Sequence, residues 1–299
     1  MNHTGKMLAL VESSLPYQIT NELETVGVYD FAGKLADSMT AHPKICPRSG
    51  ELHFFGYGSL TSPSVTYHRV NAAGDLITNR GLDVRGLTMM HDFALSAEHI
   101  VFMDLPVVFR LDIARNGQHD MPYRWSDNYG ARLGVLRRED PFGPIRWFDI
   151  KPCYVFHVLN AFDKTTDDGK PLVLQAARYR ELWRDNGAPG FDAVMWFWTI
   201  NLSRGTVTEQ QLDDRPVEFP RIDDRLVGMP ARYGVTWLRV NLYATTSNAV
   251  PLRSTLSVAP LSPVDLVRPS SLRPIRTLAN SPAGICPMST TRFGTAAIL

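Results

Sequence analysis

Short runs rich in aromatic and β-branched residues, each closed by turn-forming residues, recur along this chain as far as residue 237. Leu52–Tyr57, Val65–Val70, Arg132–Leu136, Ile145–Ile150, Leu172–Ala176, Ala193–Ile200 and Thr206–Gln211 all have the composition that fits a pleated, half-buried surface. Met7–Val11, Gly27–Phe31, Leu76–Thr78, His91–Leu95, Ile100–Asp104 and Tyr154–Leu159 read the same way. Between them lie turn signals: Pro47-Arg48-Ser49-Gly50 is one, and Asn71-Ala72-Ala73-Gly74-Asp75 marks a hairpin. His91–Leu95 and Ile100–Asp104 are placed to pair across Ser96–His99. Only Ala177–Asp185 suggests a helix, and a short one. Strand hairpins in blocks of about 40 to 50 residues predict an all-β chain built as propeller blades.

The 299 residues carry 31 basic and 30 acidic side chains, a net charge of +1, and 44% hydrophobic residues, as a globular protein with a large core would. That balance argues against nucleic-acid binding, and Arg137-Arg138 is neutralised at once by Glu139-Asp140. Cys46, Cys153 and Cys286 have no paired spacing, so neither a disulfide framework nor a zinc knuckle is expected and a reducing, cytoplasmic location is. Met7–Val11 is too short for a signal-peptide core, and no run approaches the roughly 18 apolar residues of a spanning helix.

One histidine, His157, sits at the centre of the strand-like run Cys153-Tyr154-Val155-Phe156-His157-Val158-Leu159-Asn160-Ala161-Phe162-Asp163. A buried imidazole there needs a hydrogen bond or a metal, since an unpaired polar group costs roughly 1–3 kcal/mol. Read singly, it is a satisfied core histidine. Two further histidines stand where a turn meets an apolar run: His42 in Met39-Thr40-Ala41-His42-Pro43-Lys44 and His91 in Met89-Met90-His91-Asp92-Phe93. Separated by 49 and 66 residues, the three belong to different strand units, as a metal held on a central axis requires.

These three segments, in this order, resemble the carotenoid cleavage oxygenases, a family that includes the retinoid isomerase, the apocarotenoid oxygenases and the lignostilbene dioxygenases. The resemblance covers residues 1 to about 237, the central part of a longer protein. It implies a seven-bladed β-propeller, incomplete here, with iron(II) on its axis and O2 as co-substrate. His42, His91 and His157 match metal-ligand positions. Glu12 and Glu218 match outer positions, where a carboxylate accepts an N–H bond from a ligand ring. The family's fourth histidine lies near its C-terminus, and this sequence has no histidine after His157. His3, His53, His68, His99 and His119 read as structural or surface residues.

Alternation stops after Trp237. Residues 238–299 hold seven prolines, eight serines, seven threonines and six arginines against one acidic residue, Asp265. The body carries about −4 and this tail +5. It reads as low-complexity coil, either out of frame or a disordered extension. A propeller lacking blades leaves unpaired strand edges, from which poor solubility is expected.

The function this implies is cleavage of a conjugated C=C bond of a carotenoid or apocarotenoid, a hydrophobic polyene, to carbonyl products. A stilbene is less favoured as substrate, because the resemblance places a lysine before the first outer glutamate in stilbene-cleaving members and this chain has Val11. Two other readings stand beside it: a catalytically inactive fragment of the family, and a metal-free propeller used as a binding scaffold. Aromatics such as Phe93, Phe102, Phe109, Phe156, Phe162, Trp196 and Trp198 are expected in the core or along a substrate tunnel. Met103–Phe109 is a candidate apolar rim for peripheral membrane contact, and no obligate protein partner is evident.

Overall fold

Leu52–Tyr57 is buried along nearly its whole length, whereas Leu76–Gly81 alternates buried Leu76 and Thr78 with exposed Ile77 and Asn79. The difference marks an inner strand covered on both faces and an outer strand covered on one. The computed structural model describes residues 1–12, 14–116, 121–166, 170–184 and 192–239, and the strand Ser254–Pro260. Side-chain surroundings are described as far as Trp237.

The first sheet joins β1 (Asn2–His3), β2 (Lys6–Ala9), β3 (Tyr17–Ile19) and β4 (Thr25–Val28) in that order. The second joins β5 (Lys44–Ile45), β6 (Leu52–Tyr57), β7 (Val65–Val70) and β8 (Leu76–Gly81). Its β7–β8 hairpin turns where expected: the Asn71 side chain accepts from the N–H groups of Ala73 and Asp75, and Gly74 supplies a φ of 96°. The third contains β9 (Ala94–Leu95) and β10 (His99–Asp104), interrupted by the ribbon β11 (Val107–Phe109), α1 (Leu111–Arg115) and β12 (Tyr123–Trp125). It is completed by β13 (Ala131–Arg137) and β14 (Arg146–Ile150), in the order β14-β13-β10-β9. The fourth runs β15 (Tyr154–Asp163), β16 (Leu172–Tyr179), β17 (Val194–Asn201) and β18 (Thr206–Gln211). A last sheet joins β19 (Val217–Arg221), β20 (Tyr233–Arg239) and β21 (Ser254–Pro260).

The architecture is thus all-β: among the described residues, four four-stranded antiparallel sheets and one of three strands, the blade pattern of a propeller. The outermost strands β4 and β18 are mostly exposed, while Phe54, Phe55, Tyr67, Phe93, Phe102 and Trp198 are fully buried between sheets. Inner strand β15 contacts both β9 and β19, so neighbouring sheets approach along their first strands.

Four expectations need correction. Ala177–Tyr179 ends strand β16 instead of opening a helix, because Ala177 and Arg178 stay in register with Met195 and Val194. The α-helix among the described residues is α1, which has an acidic residue in its first turn and a basic one in its last; Asp224–Leu226 adds one turn of 3-10 helix. Met103–Val107 is buried and forms no exposed rim; Asp104 within it is paired with Arg132 at 2.8 Å. Ser254–Pro260, inside the segment read as coil, is a strand paired with Tyr233–Arg239, and its Thr255, Leu256 and Val258 suit that role. The rest of the tail, Cys286 and His119 lie outside the described residues.

Candidate metal centre

Each predicted ligand segment enters at the inner strand of its own sheet. His42 stands two residues before β5, His91 three before β9, and His157 within β15. Lys44, Ala94 and Tyr154 begin the regular pairing, so the first two histidines lie on the less regular backbone just outside the sheets. In β15 the register with β16 shifts between Val155 and Val158 and again before Asn160, a bulge that contains His157. Such an irregularity re-aims a side chain that strict alternation would fix.

The structure brings the three histidines together. One ring nitrogen from each of His42, His91 and His157 lies within 4.8 Å of the others, and this is the one group of three or more such residues among those described. Ring centroids are 4.7 Å apart for His42 and His91, 4.9 Å for His42 and His157, and 5.2 Å for His91 and His157.

Two of the rings are oriented from behind. His91 Nδ1 donates to the Phe156 carbonyl at 3.1 Å, and His157 Nδ1 donates to Glu218 Oε2 at 2.7 Å. A proton fixed on Nδ1 leaves Nε2 as the lone-pair donor, the arrangement a metal-binding histidine needs. Burial holds His42 down to about 3 and His91 to about 4, so both rings are neutral at pH 7. The donor set therefore fits a divalent first-row metal.

Glu218 reaches His157 through a strained turn of its strand. Phe219 has a φ of 48°, rare for a bulky residue, and its N–H bonds the same Glu218 oxygen at 2.6 Å. The Phe219 ring then lies against His157, centroids 4.5 Å apart. Glu12 is placed differently. Its Oε1 is 3.9 Å from His42 Nε2, longer than a hydrogen bond, and accepts the Ala41 N–H at 3.0 Å. Burial raises its carboxyl to about 7.

Two residues escaped the sequence reading. Asp92 is buried and forms a 2.7 Å ion pair with Lys44. Burial alone would push Asp92 up, but the Lys44 ammonium and the Val158 N–H hold it below the ordinary carboxylate range. A charged residue next to His91 and another two places after His42 were the available signal. The remaining histidines stand apart from the cluster: His53 bonds the Tyr67 hydroxyl, His99 bonds Asp163, and His3 bonds the Gly50 carbonyl. A cavity of about 610 Å³ opens beside the cluster, lined among others by His42, Lys44, Asp92, His157, Phe219 and Ile222.

Blade-like sheets carrying clustered imidazoles at their inner strands define a propeller with a candidate metal centre. Residues 1–249 match the sequence profile of the family described as retinal pigment epithelial membrane protein. The chain belongs to this family, the carotenoid cleavage oxygenases. It is 38% identical over 277 residues to a carotenoid cleavage oxygenase of Mycobacterium tuberculosis, an alignment covering 79% of this chain and 55% of that protein. It is 31% identical to a carotenoid 9,10(9',10')-cleavage dioxygenase of Phaseolus vulgaris, over 83% of this chain and 45% of the relative. Among solved structures, lignostilbene dioxygenase of Pseudomonas brassicacearum superposes with a TM-score of 0.69 at 27% identity, over 81% of this chain and 52% of the other. The cobalt-substituted apocarotenoid oxygenase of Synechocystis shares the fold, with a TM-score of 0.71 at 23% identity over 88% and 59%. The chain spans about half the length of the relatives it matches.

Proposed function

We propose that this chain is an iron(II)-dependent dioxygenase that cleaves a conjugated C=C bond of a carotenoid or apocarotenoid. The observation that carries the reading is the convergence of His42, His91 and His157 from three sheets, with two of the rings fixed through Nδ1. Iron(II), when bound, supplies a redox-active centre with coordination positions open to O2. The chain's own part is to hold three neutral donors, to keep Glu218 as the acceptor that orients His157, and to offer the adjoining cavity to the polyene. In the overall reaction one oxygen atom of O2 goes to each former alkene carbon, giving two carbonyl products and no other co-product. Membership of the family and the relatives' carotenoid cleavage support this substrate class.

A second reading is a family member without catalytic activity: among the described residues the cluster is built from three imidazoles, those of His42, His91 and His157. The experiment loads the purified chain with iron(II) under anaerobic conditions, measures bound iron, then adds an apocarotenoid in detergent and ¹⁸O2. Bound iron with ¹⁸O in both carbonyl products supports the proposal. Bound iron without cleavage supports the inactive reading, and cleavage of a stilbene but no polyene overturns the substrate class.

A further inference from the structure

Asp92 touches the immediate neighbourhood of all three histidines. Its Oδ1 takes the Lys44 ammonium at 2.7 Å and the Phe93 N–H at 2.8 Å, and its Oδ2 takes the Val158 N–H at 2.8 Å. Lys44 is two residues beyond His42, Phe93 two beyond His91, and Val158 adjoins His157. Each partner therefore comes from a different sheet's inner strand or its approach. The carboxylate is 1% exposed, and both of its oxygens are committed.

We propose that Asp92 is a positioning residue that holds the three histidine-bearing segments in the geometry needed to share one divalent metal. This rests on the iron-centre reading above. Three features assign the role to this side chain. The Val158 N–H lies at the bulge of β15, where ladder pairing is interrupted, and a charge-assisted bond to Asp92 anchors the backbone at His157 there. Lys44 neutralises Asp92, so the cluster has a buried anion at its back without an added net charge, and the ammonium also lies over the Phe93 ring at 5.8 Å. Thr40 supplies a second, weaker tie between two of the segments, accepting from the His42 N–H and donating to the His91 carbonyl, both at 3.2 Å. His91 Nδ1 also reaches this segment, at the Phe156 carbonyl, while the Val158 N–H beside His157 is taken by Asp92.

Asparagine at this position offers one acceptor oxygen to three donors and leaves Lys44 without its counter-charge. Asp92→Asn tests the role, with Lys44→Met/Asp92→Asn as the companion that removes the buried unpaired ammonium should the single variant not fold. The full chain is titrated anaerobically with Co(II) as the probe, followed by its visible absorption bands. Metal-free samples are compared by the ¹⁵N signals of their histidine rings.

The expected result is a folded variant with Co(II) affinity reduced about 10- to 100-fold, altered band positions, and shifted His157 and His42 ring signals without metal. Unchanged affinity and unchanged ring signals in a folded variant overturn the proposal while leaving the metal centre intact. If the wild-type chain itself takes up no Co(II), the iron reading is what fails. The metal-free ring signals then decide Asp92: shifted signals keep its positioning role, and unshifted ones refute it.

Discussion

Glu218 offers the sharpest test of how the outer carboxylates serve the cluster. Its Oε2 accepts two donors, His157 Nδ1 at 2.7 Å and the Phe219 N–H at 2.6 Å, and the side chain is 20% exposed. Hydrogen bonds to a charged group contribute roughly 1.5–3 kcal/mol, about twice the neutral value. Glu218→Ala removes the bond outright, leaving His157 free to rotate and to change tautomer. Because every 1.4 kcal/mol is a factor of ten, metal affinity should fall about 10- to 100-fold. Glu218→Gln keeps an acceptor oxygen but loses the charge, so roughly half the energy is lost and the drop is about three- to tenfold. The assay is anaerobic competition against a chromogenic chelator, with circular dichroism to verify that each variant is folded. The reasoning fails if the alanine variant holds the metal within twofold of wild type, or if glutamine is the weaker of the two.

Three further outcomes follow from the same structure. His68 is fully buried, stacked on Phe54 at 4.8 Å, and neither ring nitrogen has a partner among the described residues, so His68→Leu should raise the melting temperature by roughly 2–4 °C per kcal/mol of relieved desolvation; a lower midpoint contradicts this. Gly56→Ala would drive a Cβ into the Ser38 carbonyl oxygen, a backbone atom, and should cost at least about 1–3 kcal/mol in a denaturant titration. Acid should destabilise the metal-free chain: unfolded histidines take up protons near pH 6.5 while folded His42 and His91 wait until about 3 and 4, so their contribution is full above 6.5 and lost as pH falls toward 4. Glu12, raised to about 7, opposes them between 4.5 and 7, so these three groups together contribute a loss on the order of 3 kcal/mol from pH 6.5 to pH 4.5, and buried His53 and His68, also held below the ordinary histidine range, add to it in the same direction; urea unfolding at the two values would show the loss, and equal stability at both would refute it.

The strands were readable wherever residue type and turn chemistry agreed. Leu52–Tyr57, Val65–Val70 and Thr206–Gln211 occupy the spans expected for them, each a run of β-formers between turns. What escaped was structure decided by partners far along the chain. The two-residue strand Lys44–Ile45 exists because β6 offers it a ladder, and Ala177–Tyr179 is a strand because β17 holds it. In the site, the three histidines were legible from their contexts. The Lys44–Asp92 pair was not, since a lysine after a proline and an aspartate after a histidine have the composition of a solvated turn until a third segment buries them. Glu218 was expected as an outer carboxylate with no particular ring assigned to it, and it bonds His157; Glu12 serves the Ala41 backbone at a distance from His42 too long for a hydrogen bond.

The departures from regular β-structure explain how a rigid sheet assembly can carry such a cluster. Four strand pairings show register shifts, and two of them, β15 with β16 and β19 with β20, hold His157 and Glu218. Phe219 is the one non-glycine residue with a positive φ inside a described strand, and it directly follows Glu218. Strained backbone of this kind costs about 1–3 kcal/mol and persists only where its surroundings over-determine it. Here the surroundings are specific: Glu218 bonds both the strained residue and the ring it orients, and Asp92 bonds the bulged backbone at the residue after that ring. Two carboxylates thus hold His157, one through its imidazole and one through the neighbouring amide. Removing either should loosen the same ring, so their effects on metal affinity should be less than additive in a double-mutant cycle.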